Sequence, residues 1–388
     1  MYGGYGETAE SLAEKIKRTC IGQDETVDKL CRFAELASVR SMRIVRQGYR
    51  PLDLPTLNSA LIIGPTASGK SHMMKTFAYE SGMFFRSIDA SAMTAEGWRG
   101  NSFSTVWFEL SQQMEKRPYT NAVVFIDEVD KMLAQTREGN AMFDLLKPLE
   151  GGILQGHTDE SKPREYSLNT DRCLFILAGA FTGIEKIVAK RVGASKHGMG
   201  FGAMVEDGLP ADERERERAL RAQVITDDIE AWGCPRELLG RITQVWPMEA
   251  LGEETLRTML HGNVQREYEC MLEHGTFVID DAATDLIVER ALKSRYGARS
   301  VNQQVCQAFS NVVWPQVKGM GRLESVTLTV NNGEFACEAK KYQYPMLEQW
   351  AAQQKAAKRH ASDSAEAQGP QKDDPAQDEK PQAEPQAE

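Results

Sequence analysis

Gly64-Pro65-Thr66-Ala67-Ser68-Gly69-Lys70-Ser71 is the stretch whose residue types and spacing can do chemistry on a phosphate chain. It fits G-x-x-x-x-G-K-[ST], in which glycines turn backbone N–H groups toward the α- and β-phosphates, a lysine reaches the β- and γ-phosphates, and a hydroxyl ligates Mg²⁺. Lys70 and Ser71 hold the last two positions, and His72 follows them. A second set, Asp127-Glu128, ends the apolar run Val123-Val124-Phe125-Ile126. Two adjacent acids divide the work: Asp127 is expected to hold Mg²⁺, and Glu128 to orient and polarise an attacking water. Together the two sets imply that the chain binds and hydrolyses a nucleoside triphosphate.

These groups need elements to position them. Ala60-Leu61-Ile62-Ile63 reads as a buried strand before the glycine-rich loop, and His72 to Ala78 as a helix after it. Val123 to Ile126 and Cys173-Leu174-Phe175-Ile176-Leu177-Ala178 read as further buried strands. Alternating strand and helix signals from about residue 9 to 246 predict a three-layer α/β/α domain with a mainly parallel sheet. Carboxylates at a strand's C-terminal end then face the ligand crevice. Beyond it, Glu253 to Leu272, Asp281 to Leu292 and Ser300 to Val317 carry helical periodicity. A strand pair, Ser325 to Val330 and Glu334 to Glu338, turns at Asn331-Asn332-Gly333. The organisation expected is therefore a flexible 1–8, a large domain over 9–246, a small mainly helical domain over 247–340, and a mostly disordered acidic tail over 341–388. The tail is rich in Ala, Gln, Pro and charge and has no aromatic after Trp350. The charge run Ala211 to Arg218 reads as a solvated helix or loop.

Composition excludes several classes. The 388 residues contain no apolar run long enough to span a bilayer, and Met1 to Glu7 lacks the pattern of a signal peptide, so the expected location is the cytoplasm. The seven cysteines are scattered with no C-x-x-C pair and the six histidines lack ligand spacing, so no zinc is expected. A net charge of −10 argues against broad attraction to nucleic acid. No Ser/His/Asp, Cys/His or zinc-protease arrangement is evident, so no intrinsic protease activity is expected.

Taken in order along the chain, these motifs resemble the AAA+ ATPases, and among them the ClpX-type unfoldases, over about residues 10 to 340. Ile21-Gly22-Gln23 resembles the family's adenine-side entry motif, and Gly179 to Lys186 the segment after its sensor-1 strand. Pro235-Arg236-Glu237-Leu238-Leu239-Gly240-Arg241 resembles the box carrying the arginine finger, and Tyr296-Gly297-Ala298-Arg299-Ser300 the sensor-2 motif. The resemblance implies ATP and Mg²⁺ as ligands and a small C-terminal lid domain. It also implies Ile21 and Gly22 at the nucleotide, Arg299 sensing it from the same chain, and Arg241 acting on a neighbouring subunit's site in a homo-oligomeric, hexameric ring. Gly97-Trp98-Arg99-Gly100 falls where the family grips protein substrates in its pore, with Arg99 in place of the usual aliphatic residue. Met199-Gly200-Phe201, in a glycine-rich loop, resembles the tripeptide that docks a ClpP-like peptidase, and Lys162-Pro163-Arg164 falls where a basic second pore loop occurs. Nothing before Ile21 matches the family's N-terminal zinc-binding domain, so a different substrate choice is expected. The function expected is that of an ATP-dependent protein unfoldase. The alternatives are a remodeler without a peptidase, a nucleic-acid-directed motor, or a scaffold that scarcely hydrolyses ATP.

Overall fold

In the computed structural model, residues 8–93, 102–134, 142–158, 162–196, 213–294, 296–343 and 353–355 are described. The chain opens with helix α1 (Ala9–Lys17), whose N-terminus is capped by the Thr8 hydroxyl accepting from Ser11 N–H, and α2 (Asp24–Gln47). There follow β1 (Ser59–Ile63), α3 (Lys70–Ser81), β2 (Phe84–Asp89), α4 (Phe103–Lys116), β3 (Ala122–Asp127), α5 (Val129–Ala134) and α6 (Phe143–Glu150). Strands β4 (Ile153–His157) and β5 (Glu165–Asn169) form a separate antiparallel hairpin, and β6 (Cys173–Gly179) returns to the main sheet. Helices α7 (Ile184–Lys196), α8 (Glu213–Arg221), α9 (Thr226–Trp232) and α10 (Arg236–Leu239) precede β7 (Gln244–Pro247).

The main sheet has the order β2-β3-β6-β1-β7 and is parallel throughout. A parallel sheet covered on both faces needs strands that are apolar at every position, which is why β1, β3 and β6 read as unbroken apolar runs. The side chains sort by parity. Leu61, Val124 and Phe175 join the core under α4 to α7, while Ile62, Phe125 and Leu174 join the core under α1, α2 and α3. The expected three layers are present, and the three strands read from the sequence lie side by side in register.

The C-terminal unit has its own core. Helix α11 (Glu253–Met259) runs through a π turn at Leu260–Val264 into α12 (Gln265–Glu269), followed by β8 (Thr276–Ile279), α13 (Asp281–Lys293) and α14 (Gly297–Ala308). A second π turn, Phe309–Val313, leads into α15 (Trp314–Val317). Strands β9 (Leu323–Asn331) and β10 (Glu334–Lys341) form the expected hairpin, and β8, not foreseen in the sequence, adds to it in parallel with β9. Among the described residues no helix is long and apolar enough to cross a membrane.

Candidate functional site

Strands β1, β3 and β6 end together, and their C-terminal ends form the floor of a cleft of about 520 Å³ roofed by the C-terminal unit. The loop from Gly64 to Gly69 leaves β1 and enters α3. Ala67 and Gly69 take left-handed backbone, at φ of 64° and 92°, so the chain can double back before the helix starts. Gly64 must be glycine for a different reason: a Cβ there would stand 2.8 Å from the Met248 Cβ and 3.0 Å from Ser68 Oγ.

Lys70, the first residue of α3, is 8% exposed. Its Nζ donates to the carbonyls of Gly64, at 2.7 Å, and Pro65, at 2.9 Å. Burial pulls its pKa down to about 8, against the opposing pull of Asp127 and Asp130; Arg221 and Arg299 push the same way as burial. Ser68 Oγ is buried with no partner among the described residues. A desolvated ammonium held by neutral carbonyls, beside an orphan hydroxyl at a helix N-terminus, is a cradle suited to an anion.

Ser71 Oγ donates to Asp127 Oδ2 at 2.5 Å, so a hydroxyl from α3 and a carboxylate from β3 meet on the cleft floor. This oxygen pair suits a hard divalent cation. Glu128 takes φ of 58°, and its own N–H donates to Asp127 Oδ1 at 2.9 Å. Its carboxylate accepts from Lys131 Nζ at 2.6 Å.

Two residues not singled out in the sequence, Asp130 and Arg221, help shape the site, together with Gln23 of the Ile21-Gly22-Gln23 motif. Asp130, the second residue of α5, accepts from the Phe181 N–H at 3.1 Å and sits so close to Gly179 that a Cβ there would meet its Oδ1 at 2.8 Å. It thereby fixes the end of β6 against the end of β3. Arg221, three residues past the charge run at the end of α8, is buried, donates to the Ala180 carbonyl at 3.0 Å and pairs with Glu185. Gln23 donates to the Ser68 carbonyl and the Glu249 carbonyl. Asp130 carried a local signal, its place three residues past Asp127 on the next helix; Arg221 and Gln23 act through tertiary contacts.

The remaining expected residues divide into three groups. Thr66, Ala67, Ser68, Gly69, Lys70, Ser71, His72, Asp127, Glu128, Ile21 and, from the C-terminal unit, Arg299 all line the cleft. Gly22 lies beneath it at φ of 82°, pressed against Thr255 so tightly that a Cβ would come within 2.4 Å of its Cγ2. His72 Nε2 lies 3.4 Å from the Thr19 carbonyl, which also accepts from Asn263 Nδ2 at 2.8 Å. The N-terminal end of α14 sits over the glycine-rich loop, where a Cβ added at Gly297 would stand 3.8 Å from the Ala67 Cβ. Arg241 is elsewhere: outside the cleft, its guanidinium pairs with Glu150 and donates to the Glu237 carbonyl at 2.5 Å. Trp98, Arg99, Met199, Gly200 and Phe201 lie outside the described residues. Arg164, at the β4–β5 hairpin, stacks its guanidinium over the Phe108 ring at 4.1 Å.

Comparison with known proteins returns a family match and curated relatives. A family described as AAA domain (Cdc48 subfamily) matches residues 56–245. The ATP-dependent Clp protease ATP-binding subunit ClpX of Azotobacter vinelandii is 27% identical over 287 residues, covering 68% of this chain and 64% of the relative. Its counterpart in Porphyromonas gingivalis is 26% identical over 268 residues, 64% of each. The chain thus spans somewhat under two thirds of the length of these relatives.

Proposed function

Because the chain belongs to the AAA+ ATPases of the ClpX type, we propose that it binds and hydrolyses ATP to drive the unfolding of protein substrates. The observation that carries this reading is the single cleft in which Lys70, Ser71, Asp127, Glu128 and Arg299 converge from both units of the chain.

The geometry supports the following roles. The Gly64–Gly69 loop and the N-terminus of α3 receive the phosphates, and Lys70 exchanges two carbonyl partners for phosphate oxygens. Ser71 and Asp127 would hold Mg²⁺, which supplies charge neutralisation for the phosphate chain. Glu128 orients and deprotonates the attacking water after leaving Lys131. Ile21 and His72 line the cleft near Thr19 and would receive the base. Arg299 bears on the phosphates from the C-terminal unit, so nucleotide binding and the placement of that unit are linked.

Arg241 does not line the cleft of its own chain and pairs with Glu150. We assign it to the site of a neighbouring subunit, where a guanidinium stabilises charge on the γ-phosphate. This assignment makes the working form a homo-oligomeric ring, by family likeness a hexamer. Trp98 and Arg99 would then grip polypeptide in the central channel, and Met199-Gly200-Phe201 would dock a ClpP-like peptidase. Peptide-bond cleavage belongs to that partner, not to this chain.

The test is co-migration of the ATPγS-assembled protein with a catalytically inactive ClpP-like peptidase from the same source. Wild type should co-migrate and retain substrate inside the inactive chamber, and Phe201→Ala should assemble yet lose the peptidase. An assembled wild type that never binds would remove the peptidase and leave disassembly of protein complexes as the function.

A further inference from the structure

Five consecutive residues, Thr19 to Gln23, touch the phosphate-binding loop, the joining segment and the C-terminal unit. The Thr19 carbonyl accepts from Asn263 in the π turn of the C-terminal unit. Gly22 packs on Thr255 of α11. Gln23, 7% exposed, uses both N–H bonds of its amide: one to the Ser68 carbonyl at 3.2 Å, one to the Glu249 carbonyl at 3.0 Å. Ser68 belongs to the phosphate-binding loop. Glu249 belongs to the segment between β7 and α11, the covalent link between the two units.

That segment is fastened to the large domain at its start, where the Glu249 side chain also pairs with Arg218 of α8. Met248 N–H donates to the Ile63 carbonyl at 2.7 Å and its side chain packs on Gly64, so Met248 moves with the main sheet. Arg218 holds the Glu249 carboxylate, and Gln23 is the side chain that holds its backbone carbonyl and the phosphate-binding loop at once. A planar primary amide holds its two acceptors in a fixed relation, because both donors lie in one rigid plane. Reorientation of the Ser68 carbonyl as the loop closes on phosphate therefore displaces either the amide or its second acceptor, Glu249.

Resting on the nucleotide reading above, we infer that Gln23 is the positioning residue that transmits the state of the phosphate-binding loop to the segment joining the two units, and so sets the C-terminal unit's orientation. Space filling alone does not require glutamine there: methionine has similar length and volume but donates to neither carbonyl.

The experiment is hydrogen exchange on the full-length protein, with and without Mg²⁺–ATPγS, for wild type and Gln23→Met. Two regions are read, residues 64–71 and 248–256. Wild type should gain protection in both. Gln23→Met should keep the gain at 64–71, with nucleotide affinity within about threefold of wild type, and lose the response at 248–256 by about tenfold or more in exchange rate. Turnover should fall through kcat with little change in KM. If Gln23→Met does not unfold cooperatively, Gln23→Ala takes its place. A response at 248–256 that persists in the variant overturns the inference. Absence of protection at 64–71 in wild type overturns the nucleotide reading itself, and the two failures are thereby distinguished.

Discussion

The Ser71 hydroxyl and the Asp127 carboxylate stand in direct hydrogen bond, 2.5 Å from Oγ to Oδ2, although β6 lies between β1 and β3 in the sheet. Two motifs far apart in sequence converge because α3 begins immediately over the end of β3. If this pair holds the divalent cation, Asp127→Asn removes the charged ligand while keeping an oxygen to accept from Ser71. Turnover should fall by about 10²- to 10³-fold with the fold intact, and the Mg²⁺ concentration for half-maximal activity should rise. A Mg²⁺ titration of both proteins checks this.

Lys70 makes the site pH-sensitive in a defined direction. Its pKa in the folded chain is lowered from 10.5 to about 8 by burial. Between those values the unfolded chain binds more protons than the folded one, so the stability of the nucleotide-free protein should rise with pH across that window and be flat below it. Phosphate beside Lys70 favours the charged form. Nucleotide binding should then take up a proton above pH 8, and affinity should weaken there by at most about tenfold per pH unit. Calorimetric titration with ATPγS at pH 7, 8 and 9 measures it, and Lys70→Met should be flat across the series.

The placement of Arg241 outside its own chain's cleft makes a mixing test decisive. Glu128→Gln and Arg241→Ala should each lose turnover by about 10³-fold. Co-assembled, some interfaces pair an intact Glu128 with an intact Arg241, and an equimolar random ring should regain up to about a quarter of wild-type turnover. No regain in a demonstrably mixed ring would mean that Arg241 acts within its own chain or not at all.

Far from the cleft, Arg40 on α2 and Asp171 before β6 form an ion pair of 2.8 Å with side chains 7% and 4% exposed. Arg40 also donates to the Pro55 carbonyl, and Asp171 accepts from the Gly152 N–H. Arg40→Met leaves a buried carboxylate without its counter-charge and should cost about 3–5 kcal/mol in urea unfolding. Arg40→Met with Asp171→Asn should recover part of that loss.

The sequence made the central strands legible because β1, β3 and β6 are apolar on both faces. It did not reveal β2 or β7, whose positions are only partly buried and, in β7, include Pro247. Hairpin β4–β5 was equally hidden, since five-residue strands with exposed alternate positions resemble loops. The glycine-rich loop and Asp127-Glu128 were readable because their chemistry is local in sequence. The contacts of Gln23, Asp130 and Arg221 were not: Gln23 stood in a readable motif and Asp130 three residues past Asp127, yet each does its work by bonding a backbone group brought close only by the tertiary fold. Arg221 shows the difference most directly: it lies on the same helix as the exposed Glu215, Glu217 and Arg218 yet turns inward to the end of β6.

The most direct test of the account is to measure ATP binding and ATP turnover on the same preparations of wild type and Glu128→Gln. A site in which Lys70 and the loop bind while Glu128 activates water predicts that Glu128→Gln binds ATP within about threefold of wild type and turns it over at least about 100-fold more slowly. A wild type that does not bind ATP, or a Glu128→Gln protein that hydrolyses it at the wild-type rate, would contradict the account.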